Sequence, residues 1–265
     1  MGRAQGSPPV FSPPNGGRPF RYSLAKGRTP QLPACTDGAV CYDHAHPGGF
    51  SEGTAVTDWM QEFVRAGAIW LHDGFSKSPH ALLTSGLHSD GYVNCTLVMQ
   101  RPALVRGMLT AHDGLRPLFP TGDEKPDWVV GSAMGAITFA FAAAEQLGAQ
   151  AAFTEKDGDA MKLARFNIHA GAKVLAVEDV ISTGGSTLKT IEALQRCEGV
   201  RVLPYILCLV NRSGLERIAD YRIRALITPS IHTWKPEDCP LCRQGSKALR
   251  PKEHWKELSG LAALS

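Results

Sequence analysis

A chain of 265 residues suffices for one large domain or two small ones, and 43% hydrophobic with 20% charged residues is a soluble globular balance. A net charge of +3 argues against a dedicated nucleic-acid binder, and the lack of any run of about 18 apolar residues argues against a membrane span. Seven scattered cysteines suit a reducing compartment better than a disulfide framework; no apolar signal-type segment follows the start, so a cytoplasmic location is expected.

Residues 1–50 hold eight of the 18 prolines and eight of the 27 glycines, without helical or strand period. The charge excess also sits there, where Arg3, Arg18, Arg21, Lys26 and Arg28 face only Asp37 and Asp43. Such a segment buries too little apolar surface to offset its chain entropy, so a disordered extension is expected, or a tail that orders on a partner. The folded domain is expected over 51–265. In "TDWMQEFVRAGAIW", Thr57 or Asp58 caps a helix whose apolar face is Trp59, Met60, Phe63 and Val64. "ALLTSGLHSDGYVNCTLVMQ" reads as two extended pieces joined by a Ser/Gly/His/Asp turn, and "RPALVRGMLTAHDGL" as a helix with Pro102 in its first turn.

From Asp127 the pattern becomes strand–loop–helix. "WVV", "AQAAFTE", "KVLAVED", "PYILCLV" and "RIRALIT" are five short apolar strands, and "ITFAFAAAEQLG" and "STLKTIEALQR" are helices between them. Strands apolar on both faces that alternate with helices predict an α/β fold, a central parallel sheet flanked by helices. Ligands in such sheets bind at the carboxyl ends of the strands.

"VLAVEDVISTGGST" places Glu178 and Asp179 at such a strand end, then Thr183, Gly184, Gly185, Ser186 and Thr187 at a helix start. Amides at a helix N-terminus carry partial positive charge, glycines admit an anion close to the backbone, and the hydroxyls add donors. The loop is therefore a phosphate cradle. The two acids would repel that phosphate and suit hydroxyls or a hydrated cation beside it. Phosphate on one side and a diol on the other describe a ribose 5-phosphate. Neither G-x-x-x-x-G-K-[ST] nor a G-x-G-x-x-G after a strand is present.

The same stretch resembles the phosphoribosyl pyrophosphate (PRPP) motif of type I phosphoribosyltransferases. The resemblance implies that the loop holds the 5-phosphate and that Glu178 and Asp179 hold the ribose hydroxyls. "VGSAMGAI" (130–137) resembles the family's pyrophosphate loop, which implies contacts from Ser132, Ala133 and Met134 and a non-proline cis peptide at the matching position. "TEKDGDAMKLARFNIHAGA" lies where the family closes a mobile catalytic loop. By resemblance Lys156, Arg165 and Lys162 neutralise the pyrophosphate, with Ala164-Arg165 standing where the family often has an arginine pair.

Three further stretches resemble orotate phosphoribosyltransferases. "LLTSGLHSDGYVNCTLVMQRP" (82–102) is similar to their N-terminal hood, which implies that Ser85, Gly86, His88, Ser89 and Tyr92 line the base and pyrophosphate pockets, with Thr183 also at the base. In "LVNRSG" (209–214), Arg212 matches an arginine that contacts the base, while Asn211 replaces the usual aspartate. Arginine pairs a carboxylate bidentately, and orotate carries one. "EDCPLCRQGSKALRPK" (237–252) resembles a cysteine-bearing tail. Its Cys239 and Cys242 are half a zinc ligand set that His232 and His254, or another subunit, would complete; otherwise they are two inert thiols. The resemblance spans roughly 54–252 and divides the domain into a hood (about 54–110), a core (about 127–228) and a tail (about 229–265).

It implies transfer of the phosphoribosyl group of PRPP to orotate, with Mg²⁺ bridging pyrophosphate and ribose hydroxyls, in a homodimer that binds no nucleic acid and no membrane. Two alternatives remain: a phosphoribosyltransferase for another nucleobase, and a PRPP-binding regulator without turnover.

Overall fold

The computed structural model describes residues 56–75 and 77–259, so the extension expected over residues 1–50 lies outside the described residues. In chain order the hood comprises α1 (Trp59–Arg65), β1 (Ile69–Leu71), β2 (His80–Leu82), β3 (His88–Ser89), β4 (Gly91–Val93), α2 (Thr96–Met99) and α3 (Pro102–Thr110). The core follows as β5 (Trp128–Ser132), α4 (Ile137–Leu147), β6 (Gln150–Asp157), β7 (Ala160–Lys162), β8 (Lys173–Ile181), α5 (Gly185–Gln195), β9 (Arg201–Asn211), β10 (Arg217–Ile218) and β11 (Tyr221–Ile227). The tail holds β12 (Thr233–Trp234), α6 (Pro240–Arg243), β13 (Ala248–Leu249) and α7 (Pro251–Ser259).

The core sheet runs β10-β11-β9-β8-β5-β6-β7; its five inner strands are parallel and both edge strands antiparallel. Strand periodicity explains why the inner strands are apolar throughout. On β8, Leu175 and Val177 pack with Phe63, Met108 and Phe139 of α1, α3 and α4 on one face. Val174 and Ala176 point the other way, towards Leu194 and Ile191 of α5. On β9, Leu203, Tyr205, Leu207 and Leu209 join the first face while Ile206 and Cys208 join the second.

The chain steps from β5 through α4 to β6 in one direction, and from β8 through α5 to β9 in the other. The strand order therefore reverses between β5 and β8, and such a reversal opens a crevice at the strands' carboxyl ends. Glu178, Asp179 and the loop after Ser132 all lie there.

Several local expectations are corrected. The second extended piece of the hood ends at Val93, since Thr96–Met99 is helical, and the helix at Pro102 stops at Thr110, where Ala111 turns extended. The expected catalytic loop begins as a hairpin: Asp157 pairs with Ala160 across a two-residue Gly158-Asp159 turn, so Met161 and Lys162 are in strand. The tail is tied back onto the hood, with β12 on β3 and β13 on β2 in a sheet of order β12-β3-β2-β13.

Candidate active site

At the end of β8 the two acids sit in different surroundings. Glu178 is 4% exposed. Its carboxylate oxygens lie 2.8 and 2.9 Å from the Ser132 hydroxyl, and Thr187 Oγ1 donates to Oε2 at 3.2 Å. It therefore joins the end of β5 to the first turn of α5. Burial, and secondarily the charge of Asp179, push its pKa up to about 8. Asp179 is half-buried at the crevice, and burial raises its pKa as well. Its carboxylate packs so closely on the backbone that a Cβ at residue 135 would come within 2.7 Å of Oδ2, so a side chain there would displace the Asp179 carboxylate.

The loop after β8 turns through Gly184, whose left-handed φ of +77° makes it the N-cap of α5. A Cβ there would stand 2.4 Å from Ile218 Cδ1. No side chain caps this helix, so its first amides are left for a ligand. Thr183 and Ser186 are exposed beside them, whereas Thr187 is 2% exposed and faces Glu178.

Beyond Ser132, the Ala133–Met134 peptide bond is cis, and the Ala133 amide donates to Thr154 O at 2.8 Å. Ala133, Met134, Phe153, Lys156 and Arg165 line one open cleft, whereas Ser132, also expected at the pyrophosphate, is buried with its hydroxyl on Glu178. Arg165 is paired with Glu155, and Lys162 Nζ with Asp157 Oδ1 at 3.2 Å; Lys162 stays outside that lining.

A neighbouring pocket brings together Ser85, Tyr92, Thr183 and Arg212. Gly86 forms the turn between β2 and β3 beside it. Ser89 is corrected: it is fully buried, with its hydroxyl 2.9 Å from Gly91 O and 2.8 Å from His232 O, and it serves hood and tail backbone instead of the pocket. His88 is likewise turned away, 2.9 Å from His80.

Asn211 has a structural reason to be an amide. Its Nδ2 donates to Leu215 O at 2.8 Å while its Oδ1 accepts from the Ser213 amide at 3.1 Å and hydroxyl at 2.6 Å. An aspartate could not make the first bond. The turn so fixed carries Arg212. Thr84, Ser182, Ile231 and Thr233 also line the pocket and were missed. Thr84 and Ser182 adjoin motif residues; Ile231 and Thr233 come from the returning tail, which leaves no local signal.

A sheet reversal flanked by a glycine–hydroxyl helix start, an acidic strand end and a basic cleft is the arrangement of the phosphoribosyltransferase class. The phosphoribosyl transferase domain family matches residues 116–244. The orotate phosphoribosyltransferase of Caldicellulosiruptor bescii is 40% identical over 178 residues, covering 67% of this chain and 90% of that protein. That of Thermus thermophilus is 37% identical over 190 residues, covering 71% and 96%. The crystal structure of orotate phosphoribosyltransferase from Aeropyrum pernix superposes with a TM-score of 0.50 at 22% identity, over 63% of this chain and 92% of that one, so the fold is shared. The chain belongs to the orotate phosphoribosyltransferase family.

Proposed function

We propose that the chain joins orotate N1 to C1 of PRPP, with loss of the N1 proton and expulsion of pyrophosphate, to give orotidine 5′-monophosphate for pyrimidine synthesis. The observation that carries this reading is the pocket in which Arg212 faces Ser85, Tyr92 and Thr183, next to the phosphate cradle. A half-buried guanidinium beside a ring and hydroxyls matches a flat base that carries a carboxylate.

The 5-phosphate binds to the amides of Gly185, Ser186 and Thr187 with the hydroxyls of Thr183 and Ser186. Asp179 takes the ribose hydroxyls. Glu178, already bonded to Ser132 and Thr187, acts by holding the two loops in register. The amides around Ala133 and Met134 receive the leaving pyrophosphate, and Lys156 and Arg165 add positive charge as the C1–O bond breaks. Arg165 must first release Glu155. Lys162, paired at the hairpin, contributes to the field at longer range.

Asp179, a half-buried oxygen donor at the crevice, fits a magnesium ion that arrives with PRPP. Bound there, such an ion supplies charge neutralisation for the diphosphate.

A homodimer and a cytoplasmic setting complete the reading. An apolar groove between α3 and α4, with Phe141 66% exposed, supports a second copy. Among the described residues Cys95, Cys197 and Cys208 form no disulfide, which is in keeping with a reducing compartment. No helix among the described residues is long and apolar enough to cross a membrane.

The test is the loss of orotate absorbance with purified protein, PRPP and magnesium, against the same mixture without PRPP. A PRPP-dependent loss with release of pyrophosphate is expected. No loss while another nucleobase is consumed would reassign the base. PRPP binding by calorimetry without turnover of any base would make the chain a regulator.

A further inference from the structure

The four-stranded sheet that joins hood and tail carries a feature independent of the transfer reaction. Leu82 pairs with His88 and Ala81 with Ser89, so His80 and His88 share one face of the β2–β3 hairpin as diagonal neighbours. Against that face the tail sets Cys239, the N-cap of the short helix α6, and Cys242 within it. His80 Nε2 lies 2.9 Å from His88 Nδ1, 3.7 Å from Cys239 Sγ and 3.5 Å from Cys242 Sγ, and Cys242 Sγ is 3.2 Å from His88 Nδ1. All four donor atoms fall within 4.8 Å of one another.

We propose that His80, His88, Cys239 and Cys242 form a structural zinc site that clamps the tail to the hood. A tetrahedron with Zn–N of about 2.0–2.1 Å and Zn–S of about 2.3 Å has edges of about 3.3–3.8 Å, close to the spacings found. Four protein ligands leave no open position, which is the structural kind of zinc centre. His232 and His254 do not take part: the first bonds Asp90 at 2.9 Å and the second Glu257 at 3.2 Å.

The donor chemistry is prepared. The Ser246 hydroxyl donates its one proton to Ser78 O at 2.6 Å, so at 2.7 Å it accepts from His80 Nδ1–H. That hydrogen bond leaves the lone pair of His80 on Nε2, facing the cluster, the supporting contact that metal-bound histidines commonly make. As zinc binds, two thiol protons leave to solvent and two Zn–S bonds form. Two thiolates cancel the dication, so the buried site is neutral overall.

The need for such a clamp follows from the sheet. β12 and β13 are two residues each, and strands this short hold little by themselves. The β2–β3 turn whose other side carries Ser85 would be fixed by the same ion.

The test uses the full chain without a histidine tag, expressed with added zinc. About one zinc per chain by mass spectrometry of the metal is expected. Expression in cobalt-supplemented medium should give the visible bands of a tetrahedral cobalt–thiolate centre. Cys242→Ser, at the exposed rim, should lose the metal and lower the thermal midpoint. If that variant fails to fold, the cobalt spectrum of the unaltered chain decides. A folded, metal-poor chain whose midpoint does not respond to zinc would overturn the site. So would a Cys239–Cys242 disulfide in non-reducing peptide mapping of freshly lysed cells.

Discussion

Glu178 and Asp179 are adjacent in sequence but differ in chemistry, because successive strand residues point to opposite sides. Glu178 is turned inward onto Ser132 and Thr187, and its pKa is raised from 4.5 to about 8. The folded chain therefore keeps a proton there that the unfolded chain releases. The resulting stability is fully present below about 4.5 and is lost as pH rises through about 8. Denaturant midpoints of the ligand-free protein should fall across this window, and Glu178→Gln, which keeps the shape without titrating, should flatten much of that slope. An unchanged slope would show that Glu178 is ionised in the folded state. Arg212 makes a kinetic prediction. Its removal costs a charge-assisted pair worth about 1.5–3 kcal/mol, so Arg212→Ala should raise KM for orotate roughly 10- to 100-fold. KM for PRPP should barely move, and equal effects on both would place the base elsewhere.

Among elements, the loop into α5 is the most demanding. Gly184 combines a left-handed φ of +77° with a Cβ position 2.4 Å from Ile218 Cδ1. Both penalties fall on Gly184→Ala, which should destabilise the fold by about 1–3 kcal/mol. Because α5 would shift its first amides, KM for PRPP should also rise. Thermal melts and PRPP titrations check the two effects separately, and a variant of full stability and affinity would show that the cradle tolerates a side chain. The β6–β7 hairpin is a second lesson at this scale. The charged stretch lacks the apolar alternation of a strand, so its pattern reads as loop. Pairing of Glu155, Lys156 and Asp157 with Lys162, Met161 and Ala160 imposes strand conformation regardless.

At the scale of the whole molecule, the tail returns across the hood and contributes Ile231 and Thr233 to the pocket that holds Arg212. Between α3 and α4 lies a groove with Met99, Val105, Leu109, Ile137 and Phe141 along its floor and wall and Arg106, Glu145 and Gln146 also in its lining. A charge at its most exposed ring should oppose self-association without disturbing the core. Phe141→Glu is expected to convert a dimer to a monomer in light scattering at micromolar concentration while the circular dichroism spectrum is kept. If the unaltered chain is already a monomer, the groove has another purpose.

The sequence by itself determined the parallel sheet, its helices and the glycine–hydroxyl loop that opens α5. These depend on local quantities: runs of apolar residues, a helix start, glycines and hydroxyls set beside two acids. The positions of Lys156, Arg165 and Arg212 were also legible, because each adjoins the carboxyl end of a strand or the loop beyond it. Tertiary structure alone decided the rest. Pairing with His80 and Cys242 on one face and with the Gly91 and His232 carbonyls on the other took His88 and Ser89 away from the pocket, and a fold-back of the tail brought Cys239 and Cys242 to His80 and His88 across about 150 residues of chain. Long-range pairing of this kind leaves no periodicity to read, since the residues meet only after both strands and tail have found their partners.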